Sequence, residues 1–209
     1  MRAVIAISWL AVVGSLAGCA TLSESQCIAS DWQSIGYRDG MKGAHHSQLL
    51  KHQNACVKHG GVPDRTVYME GWNAGVAQYC QPQNGFAVGE QGSTYTNVCP
   101  ENLQSPFHAA YQDGRRLYLA QAEINNLQHA INHNLERLAH VTRDLSNTEA
   151  LLVEGDLTPV QRRELLDETK ALAREQGQLE HQTQQLRIGV AVKQERLRNL
   201  RIELAYATY

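Results

Sequence analysis

The sequence predicts a mainly α-helical chain: a small disulfide-stapled helical head with a short β-hairpin, followed by a long antiparallel two-helix coiled-coil hairpin. Three observations predict it. Leu117, Ile124, Ile131, Leu138, Leu145 and Leu152 recur every seven residues, and Leu165, Leu172, Leu179 and Leu186 resume the ladder after a short break. Apolar positions sustained on a 3.5-residue period build an elongated helical seam rather than an enclosed pocket. Ahead of the ladders lies a stretch of different texture, rich in glycine, tyrosine and cysteine, and ahead of that a short apolar run ending in a cysteine.

Taken in order, Met1-Arg2 leads into an apolar centre through Val13 and closes with Leu16-Ala17-Gly18-Cys19. A charged start, an apolar centre and small residues at the cut are the parts of a signal peptide, here residues 1–18. The run falls short of the roughly 20 apolar residues that a membrane-spanning helix needs. Leu16-Ala17-Gly18-Cys19 resembles the lipobox of bacterial lipoproteins. That resemblance implies that Cys19 becomes the first mature residue, carrying a diacylglyceryl thioether and an acylated amine. The membrane is then a partner through a lipid anchor, and no other cofactor is expected. Three acyl chains exceed the two signals that stable anchoring usually takes. Ala20 stands where an aspartate signals inner-membrane retention in many such lipoproteins, so the resemblance implies a periplasm-facing protein of the outer membrane. Residues 19–26 read as the lipidated linker.

The mature chain has room for one compact domain and one extended one. With 19 Lys and Arg against 21 Asp and Glu, its charge excludes a nucleic-acid partner as the expected reading. Four cysteines remain after Cys19, namely Cys27, Cys56, Cys80 and Cys99. An even number in an exported chain reads as two disulfides, because the periplasm is oxidising. Three pairings are open. Cys27 with Cys56 and Cys80 with Cys99 are favoured because each closes a local unit.

The head spans residues 27–114. Asp31 is placed to cap a helix from Trp32 to Gly43, a second helix is expected from about Ser47 to Lys58, and Pro63-Asp64 starts a third, Arg65 to Cys80. Between Cys80 and Cys99, glycines and alternating apolar residues suggest the β-hairpin, marginal alone and so held by those two cysteines. Tyr37-Arg38-Asp39-Gly40, Tyr68-Met69-Glu70-Gly71 and Tyr111-Gln112-Asp113-Gly114 form a degenerate repeat. Tyrosine and glycine three apart share a helix face, so the glycine lets another helix approach closely. Tight helix packing is the main reading. The functional one is a groove of Tyr37, Tyr68 and Tyr111 with the carboxylates Asp39, Glu70 and Asp113, the site of an alternative periplasmic ligand-binding or hydrolytic domain.

Metal and catalytic signatures are thin. His52 and Cys56 have an i, i+4 spacing that can share a metal ion, but a cysteine in a disulfide is not a ligand, and zinc needs further donors; no metal is expected. His129 and His133 share that spacing on outward positions of the ladder. Asp39, His45 and Ser47 are close in sequence, which does not make them a triad. No nucleophile elbow, phosphate-cradling loop or His-Glu-x-x-His motif is present, so no catalytic residue is assigned.

Asp31-Trp32, Ile35-Gly36-Tyr37 with Asp39-Gly40, Tyr68 with Gly71, Tyr79-Cys80, the stretch from Gly85 through Cys99-Pro100, and Tyr111 with Asp113-Gly114-Arg115 resemble an uncharacterised domain family of bacterial lipoproteins, over roughly residues 22–130. The resemblance includes all four mature cysteines. It implies an exported domain of unknown function and supplies no catalytic residues.

The hairpin spans residues 105–204. Ser105-Pro106 is read as a helix start; Glu154-Gly155-Asp156-Leu157 breaks the helix, and Thr158-Pro159-Val160-Gln161 restarts it with a capping box. With the turn near 154–158 the arms are antiparallel. Pairing residues whose numbers add to 310 sets Leu145 against Leu165 and Leu138 against Leu172, with Asn134 facing Gln176 as a polar layer. Because the seam includes Thr148, Thr169, Gln176, Thr183 and Lys193, a homo-oligomer or an envelope protein partner is expected to complete it. The expected function is thus structural or partner-binding rather than enzymatic.

Overall fold

A computed structural model describes residues 22–29 and 31–206. The expected signal peptide and the expected lipidation site, Cys19, lie outside the described residues. Those residues form α1 (Glu24–Ala29), α2 (Trp32–Met41), α3 (Gln48–Cys56) with a 3-10 turn Val57–His59, α4 (Arg65–Tyr79), α5 (Pro82–Glu90), α6 (Glu101–Glu154) and α7 (Pro159–Ala205). No described helix is long and apolar enough to cross a membrane. The described residues divide into two compact units that meet between Tyr79 and Cys80.

In the first unit, Asp31 caps α2 by accepting a hydrogen bond from the Ser34 backbone N–H at 3.1 Å. That bond and the nearby Ser34 side chain hold the Asp31 carboxyl below its ordinary range. Helices α2 and α4 then pack backbone to backbone, and glycine is what permits it. A Cβ on Gly36 would lie 2.0 Å from the Tyr68 carbonyl oxygen, and one on Gly75 would lie 2.2 Å from that of Tyr37. The helix interior costs glycine about 1 kcal/mol relative to alanine, and close contact of the two backbones returns dispersion energy over the whole crossing. Gly43, at φ +66°, ends α2 in the left-handed region and lies under the Tyr79 ring, where a side chain would collide. The Cys27–Cys56 disulfide ties the start of this unit to the end of α3.

The second unit repeats this lock. Gly85 and Gly89 on α5 meet the carbonyl oxygens of Phe107 and Tyr111, as Gly36 and Gly40 meet those of Tyr68 and Trp72. Gly114 meets Phe86 and Glu90, as Gly75 meets Tyr37 and Met41, and Gly92, at φ +74°, sits under the Tyr118 ring as Gly43 sits under Tyr79. Even the polar closure recurs. Trp72 Nε1–H donates to the Ala44 carbonyl at 2.8 Å, and Tyr111 O–H donates to the Ser93 carbonyl at 3.2 Å. Cys80–Cys99 staples this copy, so both favoured cysteine pairings form. Each closes a loop of a length for which chain entropy alone predicts about 3–4 kcal/mol of stabilisation.

This arrangement corrects the expected β-hairpin. Among the described residues there is no strand; the segment after Cys80 is α5, begun by Pro82 in its first turn, and then irregular chain. Gly85 and Gly89 read as turn residues, but their four-residue spacing puts them on one helical face, where they admit α6. The Tyr-x-acid-Gly motif is not the repeating unit either. Tyr111 through Gly114 take the places of Trp72 through Gly75, and Phe107 takes that of Tyr68.

Helix α6 begins at Glu101 behind Pro100, one turn earlier than Ser105-Pro106 suggests, and accommodates Pro106 inside the helix. It runs unbroken to Glu154. The turn is residues 155–158, and Thr158 with Gln161 forms the predicted capping box that opens α7. Leu117, Ile124, Val141 and Thr148 of α6 and Thr183, Leu197 and Leu204 of α7 are buried along the seam. The seam threonines do not need a partner from the other arm: Thr148, Thr169 and Thr183 donate to the carbonyls of Leu145, Leu165 and Leu179 in their own helices. His129 and His133 are exposed, as the ladder requires.

The register differs from the expected one. Cross-arm pairs are Arg137 with Glu175, Glu123 with Lys193 and Arg116 with Glu203, and a Cβ on Gly189 would touch Leu127. Each pair adds to more than 310. The turn, residues 155–158, is centred between Asp156 and Leu157, so residues level across it add to about 313 rather than 310. The arms slide by about half a heptad, which sets Asn134 level with Leu179 and Gln176 level with Leu138. Leucines of one arm then face the smaller or polar positions of the other, a knobs-into-holes arrangement that spreads the amides along the seam.

Candidate functional site

Of the sequence-derived candidates, the structure joins Asp39 and Tyr68 and adds His52. Tyr68 O–H donates to Asp39 Oδ2 at 2.8 Å, and His52 Nε2 lies 2.6 Å from the same oxygen. A carboxylate oxygen only accepts, so His52 carries its proton on Nε2. The rings of His52 and Tyr68 meet edge-on at 6.2 Å. Tyr68 is fully buried, the His52 side chain is 3% exposed, and Asp39 alone reaches solvent, at 15%.

The three residues come from three helices. Asp39 lies on α2 one position before Gly40, whose contact with the Trp72 backbone sets the distance to α4. His52 lies on α3 between Leu49 and Cys56, the other buried residues of that helix, and the Cys27–Cys56 disulfide fixes its end. Tyr68 lies on the buried face of α4 with Gly71, Trp72 and Gly75. Burial, then the hydrogen bond to Asp39 and the negative charge of that carboxylate, raise the Tyr68 phenol far above its usual pKa of 10.0. The phenol is therefore a fixed donor and neither a base nor a nucleophile.

Chemically, two buried donors on one carboxylate oxygen make a tie across α2, α3 and α4. The equivalent place in the second unit shows what the tie replaces: Val88 stands for Asp39 and Phe107 for Tyr68, and the Tyr95 ring packs on Phe107 at 4.8 Å. The same fold closes there with apolar contact. Among the described residues, the polar tie belongs to the first unit.

The other candidates have separate surroundings. Tyr37 and Glu70 are exposed on the first unit. Tyr111 and Asp113 belong to the second unit, where Tyr111 bonds Ser93 and Asp113 pairs with Arg116 at 3.0 Å. Cys56, which shares an i, i+4 spacing with His52, is in the favoured disulfide with Cys27, and His52 bonds Asp39. Among the described residues no three His, Cys, Asp or Glu side chains gather as a metal site. His45 Nδ1 is 2.9 Å from Ser47 Oγ, but Asp39 pairs with His52, so Asp39, His45 and Ser47 do not assemble as a triad. Sequence reading missed His52 as a partner of Asp39. The signal was available in its position, since His52 recurs with Leu49 and Cys56 on the apolar stripe of α3.

Residues 31–116 match the model of a family described as Protein of unknown function (DUF2799). That span covers both glycine-locked helix pairs, including Asp39, His52 and Tyr68, and stops near the base of the hairpin. No curated protein and no solved structure matches the chain.

Proposed function

We propose that the chain is an outer-membrane lipoprotein, anchored through an acylated Cys19 and facing the periplasm, whose work is structural or partner-binding rather than catalytic. The observation that carries this reading is Leu16-Ala17-Gly18-Cys19 directly after an apolar run. Four further cysteines paired as Cys27–Cys56 and Cys80–Cys99 support it, since such bonds persist in an exported chain. The matching family, being of unknown function, adds no activity.

The Asp39, His52 and Tyr68 cluster supports the non-catalytic part. Two buried donors, Tyr68 and His52, engage the same Asp39 oxygen from two neighbouring helices, which is the arrangement of a structural tie. The hairpin, with 13 basic and 13 acidic residues interspersed from Arg115 to Tyr209, presents the solvated surface of a stalk that holds or reaches a partner.

Replacing Cys19→Ala tests the anchor. The variant should lose fatty-acid labelling and leave the membrane fraction, while wild type should float with outer-membrane markers on a density gradient. Continued labelling of the variant removes the anchored reading. Photo-crosslinkers at the exposed His129, His133 and His181, in intact envelopes, should capture an envelope protein or a second copy; capture of neither removes the partner-binding reading.

A further inference from the structure

Helix α6 enters the second lock with Phe107, Ala110 and Gly114, all buried, and turns a different face outward at its start. Glu101, Gln104, Ser105 and His108 stand at i, i+3, i+4 and i+7, so they share one stripe over the first two turns. The loop ahead of the helix brings Tyr95 and Asn97 to that stripe, and the six residues line a cleft of about 450 Å³. Tyr95 and Gln104 are half-buried and the other four are exposed.

The loop side of the cleft is held in place. The Tyr95 ring packs on the buried Phe107 with centroids 4.8 Å apart, and lies 6.4 Å from the His108 ring. Its hydroxyl oxygen accepts the Cys99 backbone N–H at 3.2 Å, and Cys99 is tied to Cys80. Among the described residues Asn97, at φ +56°, is the one non-glycine in the left-handed region. Such a conformation persists where its surroundings over-determine it, and sites for ligands are where it collects. Here Gln104 Nε2–H donates to Asn97 Oδ1 at 2.7 Å. Each amide keeps its other half for a ligand, the Asn97 NH₂ as donor and the Gln104 carbonyl oxygen as acceptor.

The lining selects the class of ligand. No lysine or arginine lines the cleft, so an anion finds no counter-charge there, and the single carboxylate, Glu101, falls short of a metal site. An apolar ligand would leave the amides, the Ser105 hydroxyl and the carboxylate without partners. The match is a ring with hydroxyl groups around its edge and C–H bonds on its face. The hydroxyls both give and take hydrogen bonds with Asn97, Glu101, Gln104 and Ser105, and the C–H face rests on the electron-rich face of an aromatic ring, Tyr95. We propose that this cleft binds a neutral pyranose unit of a glycan. The site goes beyond the structural or partner-binding reading above and does not depend on acylation of Cys19.

The full mature chain carrying Cys19→Ala, which cannot be acylated, is mixed in turn with maltotriose, cellotriose and tri-N-acetylchitotriose. Magnetisation transfer by NMR from the protein's aromatic protons to each sugar is then measured. At least one sugar should receive it at its ring C–H positions, with a Kd on the order of 1 mM, and inorganic phosphate should not displace it. Combined Glu101→Ala and His108→Ala, both at exposed positions, should weaken binding about tenfold or more while leaving the helical circular dichroism unchanged. Asn97→Gly, which keeps the left-handed backbone and removes the amide, should weaken it as well. Gln128→Ala, on the exposed side of the hairpin, should leave it as it is. Transfer to none of the three sugars, transfer untouched by both sets of substitutions in the cleft, or displacement by phosphate overturns the proposal.

Discussion

At the scale of single residues, the structure separates glycines that are required from glycines that are merely present. A Cβ on Gly36 would enter the Tyr68 carbonyl, whereas one on Gly177 would meet nothing within 4 Å. Gly36→Ala is therefore expected to destabilise the first unit by about 1–3 kcal/mol or more, and Gly177→Ala to stabilise the hairpin by up to about 1 kcal/mol, each read by chemical denaturation. Tyr68 permits a sharper test. Its folded pKa is raised, so above the unfolded value of 10.0 the unfolded chain gives up a proton that the folded chain keeps. Stability contributed by Tyr68 is fully present below pH 10 and declines as pH rises beyond it, by up to about 1.4 kcal/mol per pH unit. Tyr68→Phe should lower stability at neutral pH by roughly 1.5–3 kcal/mol, the worth of a hydrogen bond to a charged group, and should flatten that alkaline decline. An unchanged alkaline slope in the phenylalanine variant would show that Tyr68 is not what titrates.

At the scale of elements, the hairpin shows how a local detail sets a long-range alignment. The turn at residues 155–158 fixes which residues of the two arms stand level, and every layer along both arms follows from it. Cysteines at Asn134 and Leu179 should accordingly form an intrachain disulfide faster than cysteines at Asn134 and Gln176, measured as mobility on a non-reducing gel. Faster closure of the second pair would restore the register in which the numbers add to 310. Helix α5 makes the complementary point. Nine residues with two glycines have little helical preference alone, and it is the backbone of α6 against Gly85 and Gly89 that decides in favour of helix over hairpin.

At the scale of the whole molecule, the division between Tyr79 and Cys80 cuts across the sequence-level division into head and hairpin. The second glycine-locked pair shares α6 with the coiled coil, and Phe86 of α5 packs against the cluster of Leu117, Ile124, Leu197 and Leu204. Residues 80–209 contain a complete lock, its disulfide and the seam. Expressed alone in an oxidising compartment, they should unfold in one cooperative transition that is weakened by reductant. Two separated transitions would mean that the α5 lock and the hairpin do not share a core.

What the sequence determined by itself is whatever periodicity and punctuation can carry. The ladders specify two long arms, Thr158 through Gln161 specify where the second begins, and the local spacing of cysteines favours the pairs that form. Asp39 and Tyr68 are also marked by the sequence, as members of the Tyr-x-acid-Gly motif, though the hydrogen bond between them is not legible there. The rest was decided by tertiary structure. Gly85 and Gly89 read equally as turns or as one helix face until a second backbone is laid against them. His52 reads as one helix histidine among several until the fold brings Asp39, thirteen residues away, against it. The physical reason is the same in each case: glycine contacts and hydrogen bonds to a buried carboxylate depend on which backbone or side chain the fold brings within about 3 Å, and no local pattern encodes that partner.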